Sequence, residues 1–239
     1  MLGVNHAELM QDLLRRWKFG QPLAAPIAKH HLSFHRMCET SDPMAPIYGV
    51  LSLADRLAHA LLVGSSGNDT IYPIHELAEW LKIDTAVIEK IAQTIHDQTN
   101  ELKFILLSRA QGAKWPDHRR ELAAKLRERV RPIFIGDDLQ PDSFQMFFRA
   151  LVGEACAESP NLMVVHLARP KNRAVVETKV SAADNANRDT LLPTLIISPD
   201  GGSQLSEQLM SGRSCERIQS PTSIGRLIDI TNSMLAQAA

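Results

Sequence analysis

Apolar positions recur along residues 6–62 with the spacing of one helical face. Leu9, Leu13, Leu14 and Trp17 make a first stripe, ended by Gly20. Ala24, Ile27, Ala28 and His31 make a second, with Pro22 one residue inside it, where a fixed φ and a missing N–H are tolerated. Pro46 opens a third helix whose stripe is Val50, Leu53, Leu57, Ala60 and Leu61. Residues 63–70 then read as a turn or short loop. Pro73 opens a helix through 75–81, and Asp84 caps a longer one striped by Val87, Ile88, Ile91, Ile95, Leu102 and Ile105, ending near Ala110. The spacing of Leu122, Leu126 and Val130 predicts one more helix over 116–130. Up to this point the chain reads as all helix.

The pattern changes at Arg131. Residues 132–136, 162–165 and 194–197 are short continuous apolar runs, the pattern of buried strands, and 215–219 is a weaker strand. Between them lie a helix over 142–155 carrying Phe144, Phe147, Phe148 and Leu151, a poorly patterned stretch 171–190, and a short helix over 203–210. Residues 223–235 form a last helix. Strands alternating with helices imply a parallel sheet covered on both faces. The expected fold class is α plus α/β, with an all-α bundle over 1–130 and a parallel α/β domain over 131–239.

Composition narrows the function classes. The 239 residues are 44% hydrophobic and 22% charged, with a net charge of −1, so no global field favours nucleic acid or an anionic membrane. Arg119, Arg120, Lys125, Arg127 and Arg129 crowd the last predicted helix, but Glu121 and Glu128 are interleaved and no aromatic platform accompanies them. They read as a solvated face. Asp55 and Arg56 interrupt the best candidate membrane span, and the first residues lack a basic-then-apolar signal pattern. Cys38, Cys156 and Cys215 offer neither a disulfide framework nor a CxxC pair. The expected setting is a reducing cytoplasm.

Candidate chemistry concentrates in the first helices. His6, the pair His30–His31 and Asp55 fall on three successive segments, and each type can ligate a divalent metal. The string His6-Ala-Glu with Trp17 beyond it, then His30–His31, then Leu53-Ala54-Asp55, resembles the HD-related output domain, HDOD, over roughly residues 3–63. That is the bacterial signalling branch of the HD-domain phosphohydrolases, similar to the HD-GYP phosphodiesterases of cyclic di-GMP. The resemblance implies an HD-like bundle in which His6, His30 or His31, and Asp55 stand at metal positions. The His-Asp dyad that names the superfamily lies upstream of these positions and is expected to be missing, which leaves a vestigial metal shell. His96–Asp97 spells the dyad but follows Asp55, and reads as a surface pair. A cyclic-dinucleotide sensor would need a basic pocket beside His30, where the sequence supplies Lys29 and Arg36.

The second half resembles a degenerate response-regulator receiver, a flavodoxin-like fold, over roughly 131–237. The acidic pair Asp137–Asp138 follows the first strand, and LMVVHL, TLIIS and IQSP fall where receivers have their last three strands. A weak Mg²⁺ site is implied at Asp137 and Asp138. The phosphoryl-acceptor position holds His166 and the lysine position holds Ser220, leaving Ser198 and the acidic pair of the switch machinery. The interval from Asp138 to His166 is too short for a complete second βα unit. Gly201–Gly202 reads as a turn, and His35, His59 and His75 have no spacing that singles them out.

Together these expectations describe a non-catalytic signal-transduction protein that contacts protein partners, docking through Ile224, Leu227 and Ile228. It self-associates through apolar faces such as Leu9–Leu13–Trp17, with no cofactor beyond a residual divalent metal. The alternative is a metal-dependent phosphohydrolase acting on a nucleotide or cyclic dinucleotide.

Overall fold

The computed structural model describes residues 6–64, 69–107, 117–137, 141–153, 159–187, 191–201 and 205–238. Helix α1 (His6–Arg16) ends before Gly20, because Lys18 turns the chain with φ 61°, and Gly20 instead caps α2 (Gln21–Lys29). Only part of the expected first stripe is core. Leu14 is buried, whereas Leu9 and Trp17 are each 63% exposed. Ser33 accepts from the Arg36 N–H to cap a helix the pattern did not show, α3 (Phe34–Glu39).

Helix α4 (Ala45–Ala60) opens with Pro46 in its first turn, yet its inner face carries Tyr48, Ser52, Leu53 and Leu57, and Val50 is exposed. Leu62, in left-handed conformation at φ 54°, ends the helix and drops into the core beyond it. Strand β1 (Thr70–Ile71) begins at the last residue of the expected loop, and α5 (His75–Leu81) follows. A Cβ on Gly49 would sit 2.5 Å from the Trp80 ring, so the absence of a side chain there lets α5 lie against α4.

Helix α6 (Thr85–Leu107) is capped by Asp84, whose carboxylate accepts from the Ala86 N–H. Of its expected stripe, Ile88 is buried and Ile95 partly so, while Val87, Ile91, Leu102 and Ile105 face solvent. Helix α7 (His118–Ala123) is six residues long, not the fifteen of the 116–130 expectation. The carboxamide of Asn232, far along the chain, accepts from the Arg127 N–H and donates to the Lys125 carbonyl. Those two bonds satisfy the backbone in a non-helical path, a tertiary override of local periodicity.

Strand β2 (Pro132–Gly136), α8 (Ser143–Val152), β3 (Leu162–His166), α9 (Arg173–Ala186), β4 (Thr194–Ser198), α10 (Glu207–Met210) and β5 (Cys215–Gln219) follow. Strand β6 (Thr222–Ser223) and α11 (Ile224–Ala238) close the described chain. The poorly patterned 171–190 is mostly α9, which buries Val176, Val180 and Ala183 at helical spacing. The sheet order is β2-β3-β4-β5, parallel throughout, and the described residues between β2 and β3 hold α8 and no further strand.

Alternation along the two fully buried central strands makes the sheet two-faced. Leu162, Val164, Leu195 and Ile197 pack on α8 and α11, whereas Met163, Val165 and Ile196 pack on α9. Ile224, Leu227 and Ile228 belong to the first of these cores and are at most 3% exposed. This corrects the expectation that they dock partners: α11 needs that face to hold the sheet, and its outer face is Arg226, Asp229, Ser233 and Gln237.

The helical and sheet parts are stitched together rather than strung on a linker. Leu62 and Ile71 enter the sheet core, and Met146 of α8 packs against the helical core of Tyr48, Leu53, Leu57, Ile74 and Leu77. β1 pairs antiparallel with β6. No helix among the described residues is long and apolar enough to cross a membrane. Cys38 and Cys215 form no disulfide, and Cys156 lies outside the described residues.

Candidate functional site

The close packing of α1, α2 and α4 brings the end of α2 against the middle of α4. His30 is the C-cap of α2, His31 follows it, and Asp55 lies on the third turn of α4. One ligand atom from each of these three residues lies within 4.8 Å of the others. His31 Nδ1 stands 3.9 Å from Asp55 Oδ2, and the two imidazole rings overlap with centroids 3.8 Å apart. His30 Nδ1 lies 2.6 Å from the Ile27 carbonyl. A donor bond there fixes the tautomer with the lone pair on Nε2, the way metal-binding imidazoles are commonly oriented.

Two imidazoles and one carboxylate, all half-buried, suit a borderline divalent ion such as Zn²⁺, Mn²⁺ or Fe²⁺. Bonds of about 2.0–2.2 Å place ligand atoms roughly 3.0–3.5 Å apart, so the cluster must contract by up to about 1.5 Å to close on an ion. His59, one turn beyond Asp55 and buried, adds an imidazole Nε2 4.0 Å from Asp55 Oδ1. The i,i+4 spacing of Asp55 and His59 was the sequence signal for it. His6 begins α1, but its side chain lies outside the described residues.

The basic group expected beside His30 is engaged elsewhere. Lys29 Nζ lies 2.9 Å from Asp42 Oδ2, and the Tyr48 hydroxyl donates to the same oxygen at 2.6 Å. The Tyr48 hydroxyl, Lys29 and the Met44 N–H hold the Asp42 carboxyl down at about 2. Lys29 is therefore already neutralised by a carboxylate, which removes most of the support for a dinucleotide phosphate at this spot.

The second group of predicted residues lies at the C-terminal edge of the sheet, where open α/β sheets bind ligands. Asp137 follows β2 and is buried. Its Oδ2 accepts from the Arg169 N–H at 2.9 Å, clamping the β3–α9 loop to β2. Asp138 lies outside the described residues. Ser198 donates to Asp200 at 2.9 Å, and the Ser220 N–H donates to the Ser198 carbonyl.

His166 ends β3 at 2% exposure, with Nδ1 2.6 Å from Asp142 Oδ2 and its ring edge-on to Phe144. Asp142 also caps α8 through Oδ1, which accepts from the Phe144 and Gln145 N–H groups. One carboxylate therefore starts a helix and orients a buried imidazole. The Asp at a helix start was legible in the sequence, but its pairing with His166, 24 residues on, was not. His166 Nε2 is buried and has no hydrogen-bond partner among the described residues.

His75 lies near this pair. Burial, reinforced by the His166 and Arg169 charges and opposed by Glu76 and Glu79, holds its imidazole below the usual range. His96, which is half-buried rather than the surface group expected, shifts the same way. A base whose folded pKa is depressed binds fewer protons folded than unfolded, so stability falls as pH drops below the unfolded value of about 6.5. The melting temperature should fall between pH 7.5 and pH 5, and His75→Gln should shrink that difference. An unchanged pH profile in the variant would contradict this assignment.

No protein-family model, curated protein or solved structure significantly matches this chain.

Proposed function

We propose that this is a signal-transduction protein that acts by protein–protein contact and carries out no chemistry of its own. In this reading an HD-related output module is followed by a degenerate receiver-like module. The observation that carries it is the distribution of exposed apolar side chains. Among the described residues, twelve of the fourteen large exposed hydrophobic side chains lie in the helical part, which concentrates contact surface there. They include Leu9, Trp17 and Phe19 at the α1 end, and Leu102, Phe104 and Ile105 at the α6 end. Apolar patches beyond a few hundred Å² are uncommon on proteins that stay monomeric.

Two further features support a contact role over a phosphoryl switch. The position that accepts a phosphoryl group in receivers is a buried imidazole here, and Asp137 is engaged by backbone. A receiver needs an accessible carboxylate nucleophile, and a lysine to neutralise the transferring group.

The test is light scattering across micromolar concentrations. The expected result is a mass that rises above one chain with concentration, and that falls back in Trp17→Glu or Leu102→Glu. A strict monomer, indistinguishable from both variants, would contradict the reading.

The convergence of His30, His31 and Asp55 favours a second reading, a metal-dependent phosphohydrolase. A metal held there would polarise a phosphate ester or lower the pKa of a bound water. The three side chains would hold the ion, and the Ile27 carbonyl and His59 would orient them.

A further inference from the structure

A third place on the molecule belongs to neither of these groups. Between α6 and α7 lies a cleft of about 330 Å³, at the lower end of the range for small-molecule sites. His96, Asn100 and Lys103 line one wall at i, i+4 and i+7, so they share a single stripe of α6. His118 and Arg119 of α7 and its N-cap Asp117 complete the lining. Among the described residues the lining thus holds two permanent cations, two imidazoles and one carboxylate, in a chain whose net charge is only −1. The concentration of positive charge is local rather than a reflection of composition. Leu62 and Val63, at the end of α4, close the cleft with apolar surface.

We infer that the cleft between α6 and α7 binds a small phosphate monoester, with the phosphate held by Arg119, Lys103 and the two histidines. The volume is of the size of a phosphate with an attached nucleoside. Asn100 supplies a neutral amide for that group, and Leu62 and Val63 an apolar surface. Arg and Lys together give a fork and a point charge for phosphate oxygens. The behaviour of His96 agrees. One ring nitrogen is bonded to the Leu61 carbonyl, and burial together with the Arg119 and Lys103 charges holds its pKa down. Asp97 opposes the shift, and Asp117 and His118 are the other charged or titratable groups lining the cleft. A dianion placed among these groups cancels the repulsion and allows His96 to take a proton. The inference goes beyond the contact reading and stands without it, since it gives the molecule a chemical input whatever its output.

The test is calorimetric titration of the full chain at pH 7.0 and low salt with AMP, inorganic phosphate and adenosine. AMP should bind saturably, phosphate more weakly, and adenosine not measurably. Affinity should fall with added salt, as expected for partly screened charges. Arg119→Gln should weaken AMP about tenfold or more, the loss of a charge-assisted bond. Asp117→Asn keeps a capping side chain while removing the one negative charge among the described lining residues, so it should tighten AMP severalfold. A gain of affinity cannot come from misfolding. Repeating the titration in buffers of different ionisation enthalpy should show net proton uptake, reduced in His96→Gln. The inference is overturned if AMP shows no saturable binding up to about ten millimolar, a limit corresponding to a few kcal/mol of binding free energy. It is also overturned if adenosine binds as well as AMP, or if neither Arg119→Gln nor Asp117→Asn changes the affinity.

Discussion

Asp142→Ala is expected to destabilise the protein by about 1.5–5 kcal/mol. One part is the N-cap of α8: the Asp142 carboxylate accepts from the Phe144 and Gln145 N–H groups, and losing such a cap costs about 0.5–2 kcal/mol. The other part is His166, whose Nδ1 would be left at 2% exposure without the partner that now sits 2.6 Å away. A buried donor stripped of its acceptor costs about 1–3 kcal/mol. Both losses fall on one joint, because α8 carries Phe144, Phe147 and Phe148 into the sheet core and Met146 into the helical core. Asp142→Asn keeps an acceptor for the cap, so it should cost clearly less than the alanine variant. Chemical denaturation measures both. If Asp142→Ala lies within about 1 kcal/mol of the parent, below the lower bound set by the cap and donor terms, the joint is not organised as described.

A loss of about 3–5 kcal/mol is likewise expected for Arg213→Met, for a different reason. Arg213 has a fully buried side chain and pairs with Asp184 of α9. Its remaining donors go to the Leu209 carbonyl of α10, the Thr194 hydroxyl of β4 and the Met163 sulfur of β3. Four segments of the sheet half thus converge on one guanidinium. Removing it leaves a largely buried carboxylate facing apolar neighbours, while removing Asp184 leaves an unpaired buried cation. Taking two charges out of water is costly in the first place, so the pair itself is worth little against a hydrophobic replacement. The double variant Arg213→Met with Asp184→Leu should therefore cost much less than the sum of the single variants. Simple additivity in unfolding free energies would show that the ion pair is not coupled.

The parts of the fold legible in the sequence are those where local pattern and burial agree. The runs at 162–165 and 194–197 are the two central strands, and strands buried on both faces of a parallel sheet read as such near-continuous apolar runs. Pro22, Pro46 and Asp84 marked helix starts because their backbone chemistry is local. Legibility failed where a distant residue decides. Asn232 ends α7 by bonding to Lys125 and Arg127, and no window around 116–130 contains that information. Strand β1 is two residues long, and pairs with β6 some 150 residues away. The stripes of α1 and α6 were correctly periodic, but periodicity does not say whether an apolar face meets a core or solvent.

The candidate site divides the same way. His30, His31 and Asp55 were nameable as ligand types and do converge, because each lies within a turn of a contact between α2 and α4. His59 and Asp142 are not singled out by pattern: one is an ordinary buried helix residue until Asp55 is seen beside it, and the other is only the first residue of the 142–155 helix until His166 is seen beside it.

Catalysis is the point on which the contact reading and its rival differ most sharply. The direct measurement is hydrolysis of bis(p-nitrophenyl) phosphate by the full chain supplied with Mn²⁺ or Zn²⁺, beside an Asp55→Asn variant. The contact reading predicts rates equal to those of metal alone for both proteins, whether or not His30 and His31 retain an ion. Metal-dependent turnover that disappears in Asp55→Asn would contradict it and establish the helical cluster as a catalytic centre.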